Sequence, residues 1–156
     1  MSTDRPRLLV IQGANMARLG KRQPEIYGTT TADELDLMLR GHARRLGYAL
    51  DIFYTHVEGE AIGRIYGSAD EGMDALVINP AGFLYAGHAL RDCLKSLTVP
   101  VVEVHITNIE RRGMRSVTAE AATGYVAGFG LDGYLSAIEA ALRLVGFVPG
   151  LAGQKA

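Results

Sequence analysis

The chain has 156 residues, is 48% hydrophobic and 21% charged, and carries a formal net charge of −1. Such values describe an ordinary globular chain, exclude extensive disorder, and offer no electrostatic case for nucleic acid or an anionic membrane. One cysteine, Cys93, excludes an intrachain disulfide framework and fits a reducing compartment, and no apolar run reaches the ~18 residues of a membrane span.

Residues 1–6 are polar, lack the apolar core of a signal peptide, and read as flexible. The run Arg7-Leu8-Leu9-Val10-Ile11 predicts a first strand, left through Gln12, Gly13, Ala14 and Asn15. Residues 16–30 contain Pro24 and no clean period, and a loop of that length is often a lid. Thr31 and Glu34 have capping-box spacing, and Leu35, Leu37, Met38 and Leu39 then predict an amphipathic helix that stops at Gly47. Residues 48–54 predict a second strand. A helix over 58–71 follows, with Ile62, Ile65 and Tyr66 directed inward.

Residues 75–78 read as a third strand, ended by Asn79, Pro80, Ala81 and Gly82. A helix over 86–97 would carry Ala89, Leu90, Cys93 and Leu97 as its buried stripe, which makes Cys93 an inert core thiol. The β-branched run from Val101 predicts a fourth strand that ends in His105, with Glu103 on the same side two residues earlier. A polar connection over 108–120 bears Arg111, Arg112 and Arg115. A fifth strand over 124–128 and a helix over 131–145 close the chain, and the tail from Gly146 reads as flexible. Alternating strands and helices predict one α/β domain: a flavodoxin-like three-layer sandwich whose five-stranded parallel sheet has the order 2-1-3-4-5.

In such a sheet, ligands sit at the carboxyl ends of the strands. Asn15, Arg22, Tyr27, His56, Asn79, His105 and Thr107 should therefore converge on one rim. Glu103 beside His105 would hold one ring tautomer and stabilise the protonated ring, as a general acid needs. No phosphate loop or dinucleotide fingerprint follows strand one, and no Gly-x-Ser-x-Gly elbow occurs. The histidines at 42, 56, 88 and 105 lack metal-ligand spacing. Acid–base chemistry on a small molecule is what remains.

Two segments narrow that chemistry. Gln12-Gly13-Ala14-Asn15 followed by Arg22-Gln23-Pro24-Glu25-Ile26-Tyr27-Gly28, combined with Glu103-Val104-His105-Ile106-Thr107-Asn108, resembles the type II 3-dehydroquinate dehydratases. Glu58-Gly59-Glu60, Ile78-Asn79-Pro80 and Ala89-Leu90-Arg91-Asp92 are similar to further blocks of that family in the same order, so the resemblance runs from about Leu8 to Leu144. It implies a flavodoxin-like enzyme of shikimate-type or quinate metabolism that needs neither metal nor cofactor and assembles as a dodecamer of four trimers. The implied substrate is a cyclic hydroxy keto acid. By this resemblance Tyr27 would remove the proton α to the substrate ketone. A phenol ionises at ~10 in water, so it serves near neutrality only if a cation such as Arg22 stabilises the phenolate. Asn15 would hold a water on the enolate oxygen, and His105, oriented by Glu103, would protonate the departing hydroxyl. Asn79 and the backbone amides of Ile106 and Thr107 would bind the carboxylate. Arg112 and Arg115 match family arginines, and Asp92 would reach an adjacent subunit's site.

The chain also departs from the family pattern. Tyr85 stands where the family has the histidine that contacts the substrate's ring hydroxyls, and Leu84, Ala86 and Gly87 replace nearby hydroxyl-bearing residues. Thr55-His56-Val57-Glu58-Gly59 replaces Ser-Asn-His-Glu-Gly, and the segment after His105 is about three residues shorter. The proton-abstracting and carboxylate ends are thus kept, while the diol end turns apolar. Two other readings follow: the same apparatus acting on a less hydroxylated cyclic keto or lactone acid, and a non-catalytic small-molecule binder. Retention of both a base and an acid argues against the binder.

Overall fold

In the computed structural model, which describes residues 5–149, the first apolar run forms β1 (Arg7–Ala14). Alternate side chains along it enter opposite layers. Leu8 and Val10 pack with Leu35, Leu39 and Ile138, whereas Leu9 and Ile11 pack with Ala61, Ile65 and Leu90. That period of two is what a strand buried on both faces requires. With β2 (Ala49–Tyr54), β3 (Ala75–Ala81), β4 (Val101–His105) and β5 (Gly124–Ala127) it makes an all-parallel sheet in the order β2-β1-β3-β4-β5. The architecture and strand order are those expected from the sequence.

Among the described residues there are five α-helices, beginning with α1 (Pro24–Tyr27), a single turn within the expected loop. α2 (Ala32–Leu46) and α5 (Asp132–Leu144) cover one face, and α3 (Glu58–Asp70) and α4 (His88–Ser96) cover the other. α2 starts on the expected capping box: Glu34 N–H donates to Thr31 Oγ1 at 3.2 Å, and Thr31 N–H donates to Glu34 Oε2 at 2.9 Å. It stops at Gly47, whose φ of 86° closes the helix in the left-handed region that favours glycine.

β1 and β3 both run about three residues further than expected. Gly13 explains how: a Cβ there would lie 2.1 Å from the Pro80 carbonyl oxygen, so only glycine lets the strands stay this close. The helix stripes also need correction. Tyr66 is 43% exposed on the outer edge of α3, its hydroxyl 3.1 Å from Ser96 Oγ. On α4 the buried residues are Leu90, Cys93 and Leu94, while Ala89 is exposed and Leu97 lies past the last turn. A 3-10 turn over Gly82–Tyr85 delays the start of α4, and helical spacing from Leu90 then selects Leu94 and excludes Ala89. After α5, Phe147 folds back: its N–H donates to the Leu142 carbonyl at 2.9 Å and its ring joins the core. Of the segments read as flexible, residues 1–4 and 150–156 lie outside the described residues.

Candidate active site

The carboxyl ends of β1, β3 and β4 open into a cleft that encloses, with its mouth, about 650 Å³. Its lining combines polar side chains, among them Asn15, Arg22, Tyr27, Asn79, His105 and Arg112, with apolar ones such as Met16, Leu19, Leu84, Tyr85, Ile109 and Met114.

β4 delivers an imidazole–carboxylate pair. His105 is 3% exposed, and its Nε2 lies 2.7 Å from Oε1 of Glu103, a fully buried carboxylate. A buried charge persists only if it is paired and hydrogen-bonded. Glu103 meets that demand by also accepting from Ser116 Oγ and from Thr118 Oγ1, the latter at 3.1 Å from Oε2. The Tyr125 ring, on the neighbouring edge strand, lies 5.6 Å from the His105 ring centroid.

β1 delivers Asn15 in the left-handed conformation, φ 80°, one of the few non-glycine residue types that tolerate it. Its backbone N–H donates to His56 Nδ1 at 3.0 Å, which requires that nitrogen to be unprotonated. The following segment carries α1 and Tyr27. Arg112, rather than the expected Arg22, meets the phenol: its Nη1 donates to Tyr27 Oη at 3.1 Å and to Thr107 Oγ1 at 3.0 Å. The guanidinium carbon also lies 5.5 Å from the Tyr27 ring centroid. A turn closed by Met114 N–H on the Ile109 carbonyl, at 2.9 Å, brings Arg112 over the cleft.

β3 delivers Asn79. Its Oδ1 accepts the Ala81 N–H at 2.9 Å, and its Nδ2 donates to the Tyr134 hydroxyl at 2.8 Å. Ala81 has φ 46°, a strained value for a residue with a Cβ, and such strain clusters at functional sites. Ile106 and Thr107 line the cleft directly after β4. Tyr85, 66% exposed, closes the apolar end with its hydroxyl 3.9 Å from Met114 Sδ.

Four expected residues do not line this cleft: Glu103 and His56 stand behind it, bonded to His105 and Asn15, and Arg115 and Asp92 lie elsewhere. Arg115 lines a separate groove with Arg91, Glu110, Glu120 and Tyr125. The local chain explains it: Met114 faces the cleft and Ser116 reaches Glu103, so the intervening side chain projects outward. Asp92 is exposed on α4, away from the cleft of its own chain. Four further residues, Ser116, Thr118, Gln12 and Tyr134, support the site without having been singled out from the sequence. Only the Ser116-x-Thr118 alternation could have drawn notice. Among the described residues no three His, Cys, Asp or Glu side chains stand together as a metal site.

Comparison with known proteins gives consistent results. The family model described as "Dehydroquinase class II" matches residues 6–142. The chain is 44% identical over 142 residues to the 3-dehydroquinate dehydratase of Desulforudis audaxviator, an alignment that spans 89% of this chain and 94% of the relative. Among solved structures it is similar to the type II dehydroquinase from Propionibacterium acnes, with a TM-score of 0.82, 40% identity, and coverage of 90% and 99% of the two chains. It is also similar to the type II dehydroquinase from Butyrivibrio crossotus, with a TM-score of 0.85, 32% identity, and coverage of 89% and 99%.

Proposed function

The chain belongs to the class II dehydroquinase family, and we propose that it eliminates water from 3-dehydroquinate through an enolate to give 3-dehydroshikimate. One observation carries this reading: a phenol bonded to a guanidinium and a histidine bonded to a buried carboxylate face one cleft. Tyr27, as phenolate stabilised by Arg112 and aided by Arg22, takes the proton α to the ketone. Asn15 holds the water that hydrogen-bonds to the developing enolate oxygen. Collapse of the enolate expels the ring hydroxyl, which leaves as water with a proton from His105. Glu103 holds Nε2, so Nδ1 is the nitrogen through which that proton passes. Asn79 and the amides of Ile106 and Thr107 bind the carboxylate.

The family resemblance further supports a cytoplasmic assembly of four trimers in which Asp92 meets a neighbouring subunit's cleft. Arg115 would have to serve through such a neighbour as well. Turnover of 3-dehydroquinate, followed by ultraviolet absorbance of the conjugated product, tests the reaction. We expect efficient turnover that Tyr27→Phe and His105→Ala each abolish. A folded wild-type protein without turnover would overturn it.

The apolar part of the lining favours a second reading. Leu84, Tyr85 and Met114 line the end where the family's hydroxyl-recognising side chains belong. A site without such partners loses discrimination for a hydroxylated ring. On this reading the same elimination acts on a less hydroxylated cyclic keto acid. Equal turnover of 3-dehydroquinate by the wild type and Tyr85→His would remove it.

A further inference from the structure

Gln12 on β1 and Asn79 on β3 are paired in register, and Tyr134 reaches them from α5. All three are buried. The Tyr134 hydroxyl donates to Gln12 Oε1 at 2.6 Å and accepts from Asn79 Nδ2 at 2.8 Å. Asn79 Oδ1 accepts the Ala81 N–H at 2.9 Å.

The orientation of the Asn79 amide is fixed by chemistry. A backbone N–H only donates, so Ala81 requires the oxygen of the Asn79 amide on its side. Nδ2 therefore faces Tyr134, whose hydroxyl must accept there and must send its single proton elsewhere. Gln12 Oε1 is that acceptor. The second proton of Asn79 Nδ2 is left to point along the remaining direction, where Met16 Sδ lies at 3.4 Å and where Met16 itself lines the cleft. A thioether is a weak acceptor that a ligand carboxylate readily outcompetes.

We infer that Tyr134 is a positioning residue: through its hydroxyl, oriented by Gln12, it sets the Asn79 amide so that one Nδ2 proton is offered to an anionic ligand oxygen in the cleft. The same bond holds Asn79 as the clamp on strained Ala81, from which the wall of Leu84 and Tyr85 departs. The inference rests on the reading of this cleft as the substrate site.

The test is a double-mutant cycle between Tyr134→Phe and Asn79→Ala. The phenylalanine keeps the ring in the core and removes only the hydroxyl. We expect KM for 3-dehydroquinate to rise roughly tenfold with kcat changed less than about threefold, because a contact to the carboxylate is shared by ground and transition states. On the Asn79→Ala background, Tyr134→Phe should change KM no further. A purely structural tyrosine would lower Tm and leave KM in place, and additive KM effects would place its action outside Asn79. Either result overturns the inference. Should Tyr134→Phe not fold, Gln12→Leu enters the same cycle: the hydroxyl then loses the acceptor that orients it, and the same KM rise is expected. If the wild type binds 3-dehydroshikimate in calorimetry but turns over no 3-dehydroquinate, the proposed reaction falls and the cycle is read in Kd instead. Neither binding nor turnover overturns both.

Discussion

The two sides of the cleft are built differently. The His105 side belongs to the scaffold: it ends a central strand, and its Glu103 partner is buried and bonded by His105, Ser116 and Thr118. The Tyr27 side stands on a single helical turn between left-handed Gln23 and Gly28; its ring rests on the edge of the core, and exposed Arg112 supplies its side-chain hydrogen bond. The proposed proton donor is thus held by the scaffold, whereas the proposed base stands on a short, largely exposed turn. Damage on the first side should therefore spread to the whole protein, and damage on the second should remain local.

Glu103→Ala should have the largest effect. It strands three donors in the core, and breaking a buried pair costs about 3–5 kcal/mol. Thermal unfolding should register a Tm lowered by roughly 10 °C, with turnover lost. If Tm stayed put, the first side would not be part of the scaffold. Arg112→Ala comes next. Removing a charge-assisted bond to the phenol should lower kcat about 10–100-fold, while Tm changes by less than about 2 °C. A large Tm loss here would erase the contrast between the two sides.

His56→Ala should be milder. It removes the acceptor of the Asn15 N–H, so kcat should fall roughly fivefold, and His56→Asn, which can still accept, should recover most of it. Failure of that recovery would deny His56 its hold on Asn15. The smallest effect concerns Asp36, which accepts the Tyr54 hydroxyl at 2.8 Å. Burial is the main cause that raises its carboxyl above the ordinary 3.8. The folded state then disfavours ionisation, so the wild type loses this stability as pH rises from below 3.8 through the raised value. The Tm of Asp36→Asn should gain on the wild type across that interval and run parallel to it above, by about a degree or two. A gap that shrinks with rising pH would contradict the sign.

Much of the frame was legible because it rests on local rules. Thr31 with Glu34, Gly47, and the β-branched run into His105 each announce an element boundary, and their alternation fixes the layers. α1 was not legible, since four residues carry no period. Tyr66 and Ala89 were misjudged because apolar composition names candidates for burial without saying where a helix begins. At the site, Glu103 with His105 could be read because both lie on one strand. The meeting of Arg112 with Tyr27, and of Tyr134 with Asn79, joins residues 85 and 55 positions apart. No local pattern encodes such pairs; only the assembled sheet creates them.

Gly13 has a bearing on how this cleft can diversify over generations. Any side chain there would wedge apart the two strands that carry Asn15 and Ala81, so the spacing between the reacting end and the opposite wall behaves as a fixed gauge. Leu84, Tyr85 and Met114 sit beyond that gauge. Drift among descendants is free to resculpt what the cleft admits, while the spacing of the two strands that deliver Asn15 and Asn79 is held unchanged.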